Sequence, residues 1–280
     1  MRRIALCLVL ALVLAPAAAA QEGVTRYVRY QADGEVSYGI LEGETVRELR
    51  GGLFDDPEPT GRTLALSDVR LLAPVEPSKV IAVGLNYQSH LGDREPADYP
   101  GLFAKFPTTL TGPGTEIRMP RDAHNLHYEG EMVIVIGRRA QDVPVERAHD
   151  YVFGVTAGND VSERDWQDAD LQWLRAKGSD TFGPIGPAVS TGLDYGDLLL
   201  RTRVNGEVRQ SERTTDLLFD VPTIVSYVSR YVTLLPGDVI FTGTPGSTRA
   251  MEPGDVVEIE LGGVGILRNT VVREGPASTR

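Results

Sequence analysis

One cysteine stands in 280 residues, and it is Cys7. It lies in a stretch with the form of a secretory leader: Arg2 and Arg3, an apolar run over residues 4–14, and small residues 17–20 before Gln21. The apolar run is too short to span a bilayer comfortably. No small-residue cleavage site precedes Cys7 directly, as a lipoprotein anchor would require. The expected cut after Ala20 removes the only thiol, and with it disulfides, zinc–thiolate sites and cysteine nucleophiles. Basic charge is scarce as well. The formal net charge is -11, and loss of Arg2 and Arg3 leaves 26 basic against 39 acidic residues, near -13. That balance argues against nucleic acid as a partner, but not against a small anion held in a local basic pocket. The chain has no Gly-rich phosphate loop with its Lys-Ser/Thr and no Gly-x-Ser-x-Gly elbow, so ATP-driven and serine-hydrolase chemistry have no support. The expectation is an exported protein, periplasmic in a two-membrane bacterium, with no membrane attachment once the leader is gone.

What is abundant is punctuation: 30 glycines and 18 prolines, mostly between short apolar runs. Residues 24–50 alternate with period two around Asp33-Gly34 and Gly43, which predicts a small antiparallel meander. A Gly-, Asp- and Pro-rich loop over residues 51–61 follows it. The domains expected are the leader (1–20), a small N-terminal β domain (22–68), a large catalytic domain (69–273) and a flexible tail (274–280). In the large part, strands are expected at residues 69–74, 79–84, 102–106, 132–136, 151–159, 239–243, 256–261 and 265–272. A hairpin turns at Asn205-Gly206. Short helices should begin near Val143, after Ser162 as cap, and at Val221 with Pro222 in its first turn. Residues 178–187 read as a loop. The fold class is β-rich α+β rather than a doubly wound sheet.

The run His127-Tyr128-Glu129-Gly130-Glu131-Met132-Val133-Ile134-Val135-Ile136 concentrates the chemistry. Its end reads as a buried strand, so Glu129 and Glu131, two apart, share a face. Two buried like charges require a shared proton, a basic partner or a metal ion. A hard divalent cation suits carboxylate oxygens. Asp160, between a strand and a helix, is either a third oxygen ligand or a helix cap. Lys177 is either a cation for an anionic substrate and its enolate or a solvated surface lysine. His90 and Asp93 lie three apart, so on a helical turn they pair as a general base and its orienting acid; otherwise they are an exposed loop pair. His124 and His127 rank below the carboxylates as metal ligands.

The ordered set of motifs resembles the fumarylacetoacetate hydrolase family. The matching stretches include Gly84-Leu85-Asn86-Tyr87 to His90, Tyr128-Glu129-Gly130-Glu131 and Asn159-Asp160-Val161-Ser162-Glu163-Arg164-Asp165-Trp166-Gln167. They continue with Lys177-Gly178-Ser179-Asp180, Phe241-Thr242-Gly243-Thr244-Pro245 and Gly263-Val264-Gly265, and cover roughly residues 69–272. The resemblance implies a rolled mixed β-sheet catalytic domain behind a small N-terminal β domain, in a homodimer. It implies Mg²⁺ or Mn²⁺, with Ca²⁺ also compatible, on Glu129, Glu131 and Asp160. It implies that Lys177, Gln167 and Thr244 contact the substrate, that Arg164 supports the site, and that His90 with Asp93 sits on a lid. The implied activity is hydrolase or lyase cleavage of C–C bonds in small anionic 2-oxo or β-diketo acids such as acylpyruvates, through an enolate stabilised by the metal. Alternatives are 2-hydroxyhepta-2,4-diene-1,7-dioate or 5-carboxymethyl-2-hydroxymuconate isomerisation, and oxaloacetate decarboxylation. An exported 2-oxo-acid-binding protein is the non-enzymatic alternative. Three positions depart from the family pattern: Asp93 in place of Glu, Ser179 in place of Phe, and Gly246-Ser247-Thr248 in place of Ala-Gly.

Overall fold

The computed structural model describes residues 23–275. The leader and the end of the tail lie outside the described residues. The chain opens with strands β1 (Thr25–Ala32), β2 (Glu35–Glu42), β3 (Thr45–Arg50), β4 (Glu58–Ala65) and β5 (Arg70–Leu71). Then come β6 (Val80–Gly84), helix α1 (Gln88–Leu91), β7 (Gly101–Lys105), β8 (Leu110–Thr111), β9 (Glu116–Met119), β10 (Leu126–His127) and β11 (Gly130–Ile136). Next are β12 (Val152–Asn159), β13 (Ser162–Glu163), helices α2 (Arg164–Ala169) and α3 (Leu174–Gly178), and β14 (Gly183–Thr191). The chain closes with β15 (Leu199–Val204), β16 (Glu207–Arg213), helix α4 (Val221–Tyr231), β17 (Val239–Phe241), β18 (Val256–Leu261) and β19 (Gly265–Arg273).

The main sheet runs β4-β3-β2-β1-β14-β12-β11-β17-β6-β7, with β5 on β1 and β8 on β14. It is mixed: β17 and β6 are parallel, while β11 is antiparallel to both neighbours. A second sheet, β16-β15-β18-β19-β9, packs across it. Every residue of β11 is buried. Met132, Ile134 and Ile136 join a core with Ile259 and Leu261 of the second sheet and Ile224 and Val228 of α4. Val133 and Val135 join a core on the other side with Ala82 and Phe241. Each such side chain contributes about 1.5–3 kcal/mol by leaving water, so β11 is anchored from both faces.

Several sequence expectations need correction. The loop over residues 51–61 is shorter than expected, because β4 begins at Glu58 and pairs with β3. Pro59 and Gly61 obscured it; an exposed edge strand tolerates both. The N-terminal meander is continuous with the main sheet, since β1 pairs antiparallel with β14. The strand expected at 69–74 shrinks to β5, and the segment near Val143 forms a 3₁₀ helix, Val145–Tyr151. The second half of the expected 178–187 loop is the start of β14. There glycine meets a crowd: a Cβ on Gly183 would lie 2.7 Å from Thr109 Oγ1. Ser162 does not cap α2. Its hydroxyl donates to the Asp160 carbonyl, and Glu163 is the cap, accepting the Trp166 N–H at 2.8 Å.

Gly130, between the two glutamates, has no room for a side chain. A Cβ there would lie 2.1 Å from Thr202 Oγ1 and 3.1 Å from Ile259 Cδ1. Gly130→Ala should therefore destabilise the fold by about 1–3 kcal/mol. Urea unfolding would measure this, and an unchanged midpoint would contradict the packing described.

Candidate metal and substrate site

The register of β11 and β12 builds the acidic cluster. Gly130 pairs with Asn159. Asn159 accepts the Glu129 N–H through its side chain at 2.9 Å, and Asp160 N–H donates to the Glu129 carbonyl at 2.9 Å. Asp160 is thereby drawn against the start of β11. Glu129, Glu131 and Asp160 are all buried, and one carboxylate oxygen of each lies within 4.8 Å of the others. Asp160 acts as an acid in this cluster rather than as a cap.

Two lysines meet these acids. Lys177, on α3, donates to Glu129 Oε2 at 2.6 Å and to Asp160 Oδ2 at 2.7 Å. Lys105, at the end of β7, donates to Asp160 Oδ1 at 2.6 Å and to the Lys177 carbonyl. They are only 2% and 3% exposed, which rules out the solvated-lysine reading of Lys177. Arg164 is ion-paired to Glu129 Oε1. Its position follows from β13, which pairs with β10 just ahead of Glu129, and from the Glu163 cap that starts α2 at Arg164.

The charges are unevenly matched. Burial pushes the Glu129 carboxyl up, but Lys177 and Arg164 outweigh burial and hold it well below the usual range. Glu131 goes the other way: burial, then Asp160 and Glu129, push it well above. Its one hydrogen-bond donor is the Gly243 N–H at 2.7 Å, and no cation pairs with it among the described residues. Burial lowers Lys105 despite Asp160, whereas Asp160 and Glu129 outweigh burial and raise Lys177. Three converging carboxylates, one of them without a basic partner, fit a hard divalent cation. An all-oxygen donor set favours Mg²⁺, Mn²⁺ or Ca²⁺ over zinc.

The acids line a cavity of about 350 Å³ that also receives His90, Gln167, Lys177 and Thr244. Gln167 accepts from Arg164 Nη1 at 2.6 Å through Oε1, which leaves its amide N–H₂ for a ligand. Thr244 donates to the Gly130 carbonyl at 2.9 Å and accepts from Gln210 at 2.8 Å. His90, on α1, donates from Nδ1 to the Gly246 carbonyl at 2.6 Å. This leaves Nε2 as the free nitrogen, 3.8 Å from Glu129 Oε1. The Gly246 N–H donates in turn to Ser89 Oγ at 2.9 Å, so the backbone of one residue holds α1 at two points.

Asp93 does not play the part expected of it. It is exposed beyond the end of α1, lies outside the cavity wall and makes no hydrogen bond to His90. The ring is oriented by a carbonyl instead. His124 is exposed, and both ring nitrogens of His127 are taken by Thr248 and Asn125, away from the acidic cluster. Burial and the nearby Arg164 push the His127 ring down to about 4. Sequence reasoning missed Lys105 and Gln210. Lys105 left a signal: it is one of three lysines in the chain, set in the apolar run Leu102-Phe103-Ala104. Gln210 left none. Its role, accepting from Gly130 N–H and donating to Thr244 and the Pro245 carbonyl, joins segments far apart in sequence.

Comparison with known proteins agrees with this architecture. Residues 79–272 match the family model for the fumarylacetoacetate hydrolase C-terminal domain, and residues 25–74 match an Rv2993c-like N-terminal domain. Protein Rv2993c of Mycobacterium tuberculosis is 48% identical over 263 residues, which covers 89% of this chain and 99% of that protein. The crystal structure of 2-hydroxyhepta-2,4-diene-1,7-dioate isomerase from Mycobacterium marinum superposes with a TM-score of 0.85. It is 47% identical, covering 90% of this chain and 100% of that one. Maleylpyruvate hydrolase from Sphingobium, in complex with manganese and pyruvate, has a TM-score of 0.76 at 27% identity, covering 89% and 100%.

Lys105 is the residue here whose cost is most directly measurable. Lys105→Met leaves Asp160 buried with one cation fewer and should lower stability by about 3–5 kcal/mol. Urea unfolding in chelator tests this. Unchanged stability would mean that Lys177 alone serves Asp160.

Proposed function

Because the chain belongs to the fumarylacetoacetate hydrolase family, we propose that it is a divalent-metal-dependent enzyme that carries a small 2-oxo acid through an enolate. The observation that carries this reading is the convergence of Glu129, Glu131 and Asp160 within 4.8 Å at the floor of the cavity. The manganese and pyruvate held by the Sphingobium relative support it. When bound, a divalent cation supplies Lewis-acid polarisation of the substrate's keto and carboxylate oxygens.

The chain's own groups divide the remaining work. The Lys177 ammonium lies in a water-poor wall where negative charge would develop on the enolate oxygen, and preoriented positive charge there favours the transition state. The free amide N–H₂ of Gln167 is a hydrogen-bonding partner for the substrate carboxylate, while Thr244, whose hydroxyl already donates to the Gly130 carbonyl, shapes the wall beside it. His90 carries the proton. With Nδ1–H tied to the Gly246 carbonyl, Nε2 is the nitrogen that takes a proton from one substrate atom and returns it to another.

The proton distinguishes the branches. Isomerisation moves a proton within the substrate and needs one oriented base. C–C hydrolysis needs a water activated enough to attack a carbonyl, a task suited to a histidine backed by a carboxylate. His90 has a carbonyl behind it and Asp93 stands apart, so the site favours enol–keto isomerisation of a dienoate or related 2-oxo acid. The isomerase named among its structural neighbours points the same way. C–C hydrolysis is the second reading, favoured by the maleylpyruvate hydrolase likeness.

The test uses protein stripped with chelator and then given Mg²⁺ or Mn²⁺. It is offered 2-hydroxyhepta-2,4-diene-1,7-dioate, an acylpyruvate and oxaloacetate. Metal-dependent isomerisation without cleavage products is expected, and His90→Ala should slow it by about 10²–10⁴. Cleavage products would establish hydrolysis, and ligand retention without turnover would establish a binding protein. Separately, Glu131→Ala should abolish divalent-ion binding in calorimetry; unchanged affinity would remove the metal assignment.

A further inference from the structure

Arg164 reaches Glu129 and Gln167 at once, and what holds it in that pose lies outside the cavity. Its Nη2 also donates to Thr248 Oγ1 at 3.0 Å. Thr248 Oγ1 is 2.8 Å from His127 Nδ1, and His127 Nε2 is 2.8 Å from Asn125 Oδ1. Asn125 Nδ2 donates to Asp165 Oδ1 at 2.8 Å.

Donor inventory gives this chain a direction. The amide nitrogen of Asn125 faces Asp165, so its oxygen faces His127. That oxygen can only accept, so His127 Nε2 carries hydrogen. In the neutral ring Nδ1 then offers a lone pair, and the Thr248 hydroxyl donates to it. The Thr248 oxygen keeps its lone pairs for the Arg164 N–H. Each hydrogen has one acceptor, from Asp165 through to Glu129. The two segments that carry the relay are 121 residues apart, and backbone contacts hold them in register: a His127–Ala250 bridge, and Met251 N–H to the Leu126 carbonyl at 2.7 Å.

We propose that His127 and Thr248 are positioning residues: a single-tautomer imidazole and a threonine hydroxyl aim the Arg164 guanidinium so that it fixes Glu129 and Gln167 toward the cavity. Without the hydroxyl, Arg164 loses an acceptor and His127 Nδ1 loses its donor. The guanidinium then keeps only its contacts to Glu129 and Gln167, and the Oε1 side of Glu129 is held less firmly while Lys177 still binds Oε2. The effect on divalent-ion affinity rests on the metal reading above; the hydrogen-bond direction does not.

Two measurements on the full chain separate these. Mn²⁺ affinity is read by calorimetry for the wild type, Thr248→Val, Thr248→Ser, His127→Leu and His127→Gln. Supporting groups of this kind change metal affinity by about 10–100-fold, so Thr248→Val and His127→Leu should weaken binding in that range. Thr248→Ser and His127→Gln, which keep the donor and acceptor, should restore it to within a few-fold. Loss of folding in His127→Leu leaves Thr248→Val to decide. In chelator, nitrogen-15 spectra of the imidazoles should show His127 as the Nε2–H tautomer. Equal Mn²⁺ affinity in Thr248→Val and the wild type, or an Nδ1–H tautomer at His127, overturns the relay. A wild type that binds no Mn²⁺ overturns the metal reading instead, and the tautomer then decides the relay alone.

Discussion

The structure depends on how three buried carboxylates are held together. Glu129, Glu131 and Asp160 repel one another in a place that water does not screen, and desolvation adds to the cost. Lys105 and Lys177 take both oxygens of Asp160, and Lys177 and Arg164 take both oxygens of Glu129. Glu131 is left with a backbone N–H. The cluster thus compensates two acids and leaves the third without a basic partner among the described residues. Both the protein's charge distribution and its proposed chemistry follow from that imbalance.

The fold serves this arrangement through rigidity. β11 is packed on both faces and hydrogen-bonded on both edges, so Glu131 projects from a strand held on all sides. The other contributors arrive from separate elements: Asp160 after β12, Lys105 from β7, Arg164 from α2 and Lys177 from α3. Gln210, on the second sheet, ties β11 to the Thr244 loop. A site assembled from so many elements is specified by the packing of the whole domain. Small shifts in any one element would unbalance the charges.

The remaining side of the site is α1. It is a single turn of helix, latched through Ser89 and His90 to the backbone of Gly246. Gly246 has φ of +60°, a conformation in which glycine is at ease. Of the residues that depart from the family pattern at Gly246-Ser247-Thr248, Thr248 supplies a hydroxyl to Arg164, while the Gly246 carbonyl that orients His90 belongs to the main chain and does not depend on the side chain at that position. A carbonyl can orient an imidazole but does not bring the full charge of a carboxylate.

The sequence by itself determined the elements whose evidence is local. The Glu-Gly-Glu spacing, the continuous β-branched run of β11, the Asn205-Gly206 hairpin and the apolar periodicity of α4 each act over a few residues, so pattern alone reveals them. The ordered motifs were enough to bring the family into view. Tertiary structure decided everything that depends on partners distant in the chain. It made Lys105 a member of the cluster, 55 residues from Asp160, and put Gly246, 156 residues away, rather than Asp93 behind His90. It also paired β4 with β3 at an exposed edge, where no apolar alternation marks a strand. For the polar groups the reason is that each takes whichever partner the packing brings within hydrogen-bond reach, and here those partners come from segments far apart in sequence.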